Sequence, residues 1–287
     1  MVKQLINLFK VRIGLVMTIT AMVALLVTPG GREVPAWQVA VLALAVLLAS
    51  SSAGAFNQYY EREFDRLMRR TSNRPFVTGA FSADNPWWLF AIGALLVVAV
   101  GGAGLALNGM AAFYIFLGAF FYAVVYTVWL KRRTWLNIVI GGASGSFAVL
   151  AGAAVVDPQL GPIPLLLAAV LFLWTPSHFW SLAIAQHDDY ARAGVPMLPV
   201  VAGDRPAARA VFWNTLLLVT LSILPFFYGL GWLYLAGALA GGGYFLYQNL
   251  RLIREPSRKV AMASFFASLI QLVLLLTFAV LDVMVAA

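Results

Sequence analysis

Nine times along the chain an apolar run of about 20 residues recurs, long enough as a helix to cross about 30 Å of hydrocarbon. The runs fall at roughly 13–28, 36–58, 86–106, 110–130, 135–156, 162–186, 209–229, 232–252 and 260–284. Backbone polar groups in lipid must be satisfied within their own segment, so each run predicts a helix and the chain an all-α, polytopic membrane protein. Turn-forming stretches such as Pro29-Gly30-Gly31, Asn108-Gly109 and Asp157-Pro158 punctuate the runs. The first run follows basic residues as a signal peptide would, yet it has no small-x-small cleavage site before Pro29 and reads as a retained helix.

Charge orients this arrangement. The formal net charge of +8 does not point to nucleic acid, because the basic residues lie between apolar runs. With nine spans, Lys and Arg at 3–12, 62–74, 131–133, 192–209 and 251–259 share one side, and only Arg32 lies on the other. The rule that basic loops stay inside predicts a cytoplasmic N-terminus, two long cytoplasmic loops near 59–85 and 187–208, and an external C-terminus over 282–287. The chain reads as a single domain over 1–287, with candidate repeat halves 1–130 and 135–287 that each place one long polar loop after an even-numbered span. Small-residue patches, Ser50–Ala55, Gly101–Gly104, Gly141–Gly145 and Gly241–Gly243, predict close helix packing.

The chemistry concentrates at Asn57–Pro75, where three acids and five arginines occupy the fourteen residues Glu61–Arg74. Asn57, Glu61 and Asp65 recur every four residues and form one helical stripe, with oxygens about 6 Å apart along the axis. Oxygen ligands beside arginines suit a magnesium–phosphate site. An amphipathic helix end that only marks the membrane surface fits the same pattern. Asp188 and Asp189 follow the sixth span much as Glu61 and Asp65 follow the second, so the two clusters either converge on one polar cavity or stand as separate solvated helix ends. His178, inside span six beside Pro176, reads as a packing residue, a base or an axial ligand to haem iron. Lys131-Arg132-Arg133 closes span four as an anchor or as a source of one cation for a diphosphate, and Tyr126 lies one turn earlier. The absence of cysteine excludes disulfides, zinc–thiolate sites and iron–sulfur clusters, and there is no Walker phosphate loop. Together these residues favour a Mg²⁺-assisted reaction on a lipid diphosphate, whose acceptor they leave unnamed.

The stretch Asn57–Asp65 with Arg69-Arg70-Thr71 and Asn73-Arg74-Pro75 resembles the first acidic motif of the UbiA-type intramembrane prenyltransferases. Tyr126–Arg132, Trp174-Thr175-Pro176, His178-Phe179-Trp180 and Asp188-Asp189-Tyr190 through Leu198-Pro199 are similar to the protohaem IX farnesyltransferase (haem O synthase) branch. That resemblance implies a bundle of nine transmembrane helices around a lateral cavity capped by the two cytoplasmic loops. It implies Mg²⁺ on Asn57, Glu61, Asp65, Asp188 and Asp189, with Arg70, Arg74, Lys131 and Arg192 on the diphosphate of farnesyl diphosphate. A farnesyl cation would then alkylate a vinyl group of haem B and water would add, giving haem O, with Asp65, Asp188, Asp189, His178, Lys131 and Tyr126 as the catalytic candidates. The implied setting is the lipid bilayer of a cell membrane, with product passed to a haem A synthase or terminal oxidase. Two departures from the superfamily pattern stand out: Glu61 replaces the usual aspartate, and Arg192 and Ala193 stand where an Asp-x-x-x-Asp pair would end, a departure that the haem O synthase branch shares; Ser177 in place of a second proline is a minor change. Rival readings are a prenyltransferase with an aromatic acid or chlorin acceptor, and a transporter.

Overall fold

Residues 1–285 are described by a computed structural model. Helices α1 (Val2–Leu8) and α2 (Val11–Val27) meet at a 55° bend. After them come α3 (Ala36–Tyr60) and two short pieces, α4 (Arg62–Asp65) and α5 (Pro75–Thr78). Next are α6 (Trp87–Ala106) and α7 (Gly109–Phe120), and α7 continues without a break into a π-helix, Phe121–Leu130. The remainder is α8 (Asn137–Gly141), α9 (Ala143–Val156), α10 (Pro162–Ala185), α11 (His187–Arg192) and α12 (Leu198–Ala202). The chain ends with α13 (Asp204–Ile223), α14 (Trp232–Arg254) and α15 (Arg258–Val285).

Every expected run is helical, but the expected count of nine spans is not met. Among the described residues seven segments are long and apolar enough to cross a membrane, and the bent α1–α2 pair makes an eighth. The remaining run became α14, which is long enough but diluted by Gly241, Gly242, Gly243, Gln248 and Asn249. Of the terminus expected outside, the last two residues of 282–287 lie outside the described residues.

Neighbours in sequence are neighbours in space. The packing runs α2–α3–α6–α7–α9–α10–α13–α14–α15 and closes where α15 meets α2. Val23 and Ala24 of α2 share one apolar cluster with Val149, Leu171, Tyr234 and Leu275, so both candidate halves build a common core. Backbones touch where glycine allows it: a Cβ on Gly152 would fall 1.9 Å from the Ala21 carbonyl oxygen. Not every small residue packs in this way, because Gly101, Gly102 and Gly243 have nothing within 4 Å of a Cβ and face outward.

A buried polar lock ties α10, α13, α14 and α15 together. Ser177 Oγ accepts from Asn214 Nδ2 at 2.7 Å and Thr215 Oγ1 at 2.9 Å. Asn249 Nδ2 donates to Thr215 Oγ1 at 2.8 Å, and Ser264 Oγ donates to Asn249 Oδ1 at 2.6 Å. In a low-dielectric bundle such fully partnered groups specify one packing arrangement. The serine at the unusual position is therefore the hub of the second half.

Candidate active site

The first acidic motif keeps its stripe although the helix breaks inside it. α3 ends at Tyr60 and Glu61 sits at φ −92°, ψ 3°, yet Glu61 N still bonds Asn57 O at 3.0 Å and Asp65 N bonds Glu61 O at 2.9 Å. Asn57, Glu61 and Asp65 therefore stay in register and are 2 %, 1 % and 2 % exposed. Buried acids demand partners, and each has one. Glu61 Oε2 accepts from Lys131 Nζ and from Asn57 Nδ2 at 3.0 Å, while Asp65 Oδ2 accepts from Arg74 Nη1 at 2.6 Å.

The π-helix explains how Lys131 arrives there. On an α-helix, at about 100° per residue, Tyr122 and Lys131 would point about 180° apart. An i→i+5 ladder repeats roughly every 4.4 residues, so nine residues make about two turns and both side chains share a face. Lys131 N bonds Tyr126 O at 2.9 Å, the i→i−5 bond that closes this stretch. The same face offers Thr127, whose Oγ1 accepts from Asn57 Nδ2 at 2.9 Å. Of the three consecutive cations only Lys131 turns inward. Arg132 lies over the Phe64 ring at 3.4 Å, and Arg133 is exposed. Burial lowers the Lys131 ammonium below the usual lysine range, and Glu61 opposes that shift.

Lys10 completes the network. It occupies the bend between α1 and α2 in the left-handed region, φ 46°, ψ 40°, unusual for a residue with a side chain. Its Nζ donates to Asn57 Oδ1 at 2.6 Å and to Tyr122 OH at 2.8 Å, and its stem lies against Gly54. From the sequence Lys10 reads only as a topology charge, because the helix stops at Leu8 and the bend, not helical spacing, turns it inward.

These groups border a cavity of about 630 Å³. Its lining contains six cations, Lys3, Lys10, Arg12, Arg70, Arg74 and Lys131, against one acid, Asp65, so it attracts a polyanion. Tyr126, Ile138, Thr175, Phe179 and Tyr190 supply an aromatic and aliphatic wall, and a Cβ on Gly141 would strike the Tyr126 ring at 2.7 Å.

The structure brings together Asn57, Asp65, Arg70, Arg74, Tyr126 and Lys131 at this cavity, with Glu61 directly behind. It does not gather the second cluster with them. Asp189 is buried and accepts from Arg192 Nη2, Asp188 is exposed, and none of the three lines the cavity. His187 bonds Asp204 instead, at 2.8 Å. His178 is likewise off the lining: its ring stacks on Trp174 at 4.2 Å and Phe265 at 4.3 Å, and Nδ1 meets Ser268 Oγ at 2.7 Å. It reaches the cavity through Phe179, whose ring meets it edge-on at 5.1 Å.

The donor set bears on a metal. Among the described residues no three His, Cys, Asp or Glu side chains are gathered as a metal site. Asn57, Glu61 and Asp65 nevertheless form an all-oxygen row at a cation-lined cavity, which is the donor chemistry of magnesium shared with a phosphate. The residues fit that ion, provided that the substrate supplies the remaining oxygens.

Residues 16–270 match the UbiA prenyltransferase family. The chain belongs to that family. Among similar members, protoheme IX farnesyltransferase 2 of Paramagnetospirillum magneticum is 56 % identical over 99 % of this chain and 98 % of its own. Protoheme IX farnesyltransferase 1 of the same organism is 48 % identical over 95 % of both chains. Solved UbiA-type folds agree at lower identity. A digeranylgeranylglyceryl phosphate synthase superposes with TM-score 0.81 at 19 % identity, covering 98 % of both chains. A UbiA homologue from Archaeoglobus fulgidus bound to DMAPP and Mg²⁺ gives 0.70 at 16 % identity, covering 95 % of this chain and 99 % of that one.

Proposed function

We propose that this UbiA-family membrane enzyme transfers the farnesyl group of farnesyl diphosphate to a vinyl group of haem B, producing haem O and diphosphate. The observation that carries the acceptor is the near full-length 56 % identity to a protoheme IX farnesyltransferase. Support for the donor comes from the cavity, where six cations and a row of oxygen ligands meet an aromatic wall.

In this reading Asn57, Glu61 and Asp65 would hold Mg²⁺, joined by Asp188 and Asp189 once the diphosphate has drawn Arg192 away. The bound ion supplies neutralisation of charge on the departing diphosphate. Lys10, Arg70, Arg74, Lys131 and Arg192 bind the diphosphate oxygens, with Arg74, Lys131 and Arg192 exchanging internal acids for substrate. As the farnesyl C1–O bond breaks, the electron pair leaves with the diphosphate, and the rings of Tyr122, Tyr126 and Phe179 shelter the allylic cation. The terminal vinyl carbon forms the new C–C bond to C1, and water adds to the resulting cation and loses a proton. His178 acts at one remove, by fixing Phe179 in the wall.

The test is an assay of purified protein with haem B, farnesyl diphosphate and Mg²⁺, in which the expected result is conversion of the haem to a more retentive species on reverse-phase chromatography. Unchanged haem, with prenylated hydroxybenzoate formed from an added aromatic acid, rejects this acceptor. The proposed topology puts the N-terminus and both acidic loops in the cytoplasm, with α14 as the ninth span and the C-terminus outside. Because the chain has no cysteine, single introduced cysteines at 69 and 285 report it cleanly. Labelling from outside at 69 would reverse the assignment.

A further inference from the structure

We propose that Lys3 and Arg12 bind the carboxylate groups of the acceptor and so aim its reactive edge at the diphosphate end of the cavity. This rests on the reading of haem B as acceptor. Of the six lining cations, Lys10, Arg74 and Lys131 are already bonded to Asn57, Asp65 and Glu61. Lys3, Arg12 and Arg70 pair with no acid among the described residues. Arg70 belongs to the first acidic motif and is assigned above to the diphosphate, which leaves Lys3 and Arg12.

Basic residues near an N-terminus ordinarily serve as headgroup anchors, but here they are held over the cavity. Leu8 is fully buried against Ala55, Phe76 and Ile92. The buried Gln58 amide donates to the Asn7 carbonyl at 2.7 Å and to the Leu8 carbonyl at 3.4 Å, pinning α1 to α3. With α1 fixed in this way, Lys3, Ile6 and Asn7 line the cavity from one helix face, and Lys10 joins them from the bend. Arg12 and Ile13 continue the rim on α2.

The chemistry of the acceptor matches that rim. Protoporphyrin carries two propionates on one edge and its vinyl groups toward the opposite edge. Two unengaged cations at the rim, with Ile6 and Ile13 beside them in the lining, suit the charged edge and the apolar macrocycle. A propionate-out pose then directs the vinyl groups inward, toward Tyr126 and Lys131. Arg12 can take a carboxylate through two parallel hydrogen bonds, and Lys3 meets the other as a point charge.

The test compares haem B with its dimethyl ester on wild type, on Lys3→Gln/Arg12→Gln and on the charge-retaining Lys3→Arg/Arg12→Lys. The expected result is a KM for haem B raised roughly tenfold in the neutral variant, with the KM for farnesyl diphosphate unchanged. The wild type disfavours the diester by a similar factor, the neutral variant no longer distinguishes diacid from diester, and the charge-retaining variant recovers most of the preference. A neutral variant with wild-type KM for haem B, altered only in its dependence on anionic lipid, overturns the proposal. So does a wild type that uses the diester as well as the diacid, whatever the folding of the variants. A wild type that prenylates a different acceptor and leaves haem B untouched removes the acceptor reading itself, and this inference with it.

Discussion

Replacing Lys131 with methionine keeps most of the side-chain bulk and removes the cation bonded to Glu61. That carboxylate is 1 % exposed, and its other partner is Asn57 Nδ2 at 3.0 Å. Breaking a buried pair on one side costs about 3–5 kcal/mol. Lys131→Met is therefore destabilised by about that much, because it strands a buried carboxylate. Adding Glu61→Gln removes the stranded charge and restores most of the stability at pH 7, while neither variant transfers farnesyl. Thermal unfolding followed by tryptophan fluorescence in detergent, with EDTA so that no divalent ion replaces the lysine, measures both effects. A single variant that melts with wild type at pH 7, or a double variant no more stable than the single, would refute the electrostatic dependence of Glu61 on Lys131.

Asp65→Asn should insert into membranes at wild-type levels and lose at least about 100-fold in haem O formation, read by pigment chromatography, because it weakens both the metal row and the bond to Arg74. Normal turnover would remove Asp65 from the site. Chelation with EDTA should stop transfer and added MgCl₂ restore it. Because Glu61, Asp65 and Asp189 each hold an internal cation, Mg²⁺ alone should raise the unfolding temperature little, and Mg²⁺ with a non-hydrolysable farnesyl diphosphate analogue by more than the two separate shifts combined. Gly152→Val should cost at least about 3 kcal/mol, since its Cβ would sit 1.9 Å from the Ala21 carbonyl oxygen, and size-exclusion recovery after mild heating would show it.

Legibility in the sequence followed the range of the interaction that decides each feature. Apolar run length depends on local composition, so all nine runs emerged as helices; α14 alone falls short of the spanning criterion, because its glycines and amides lower its hydropathy. The Asn57–Glu61–Asp65 stripe was equally readable, since the i→i−4 bonds pass through the break after Tyr60. Longer-range choices were not. Lys10 reads as a juxtamembrane cation that only the left-handed bend turns inward, and Lys131 is singled out from its neighbours by the motif resemblance and not by spacing, because it is the π-helix that turns it inward. The aspartates after span six were expected to join the first cluster, whereas Asp189 takes a cation three residues away. Ser177 looked minor because its importance lies in Asn214 and Thr215, 37 and 38 residues distant.

The wide coil of Phe121–Leu130 makes one part of this protein sensitive to chain length rather than to chemistry. Excising a single residue between Tyr122 and Lys131 would let the strand of hydrogen bonds relax to its commoner pitch and gain backbone stability. With eight residues at about 100° each, the lysine would then stand about 80° off the Tyr122 face and turn away from Glu61. Substitutions inside that decapeptide can be absorbed by neighbouring side chains, but a frame change cannot, so insertions and deletions there should be far rarer among working relatives than replacements.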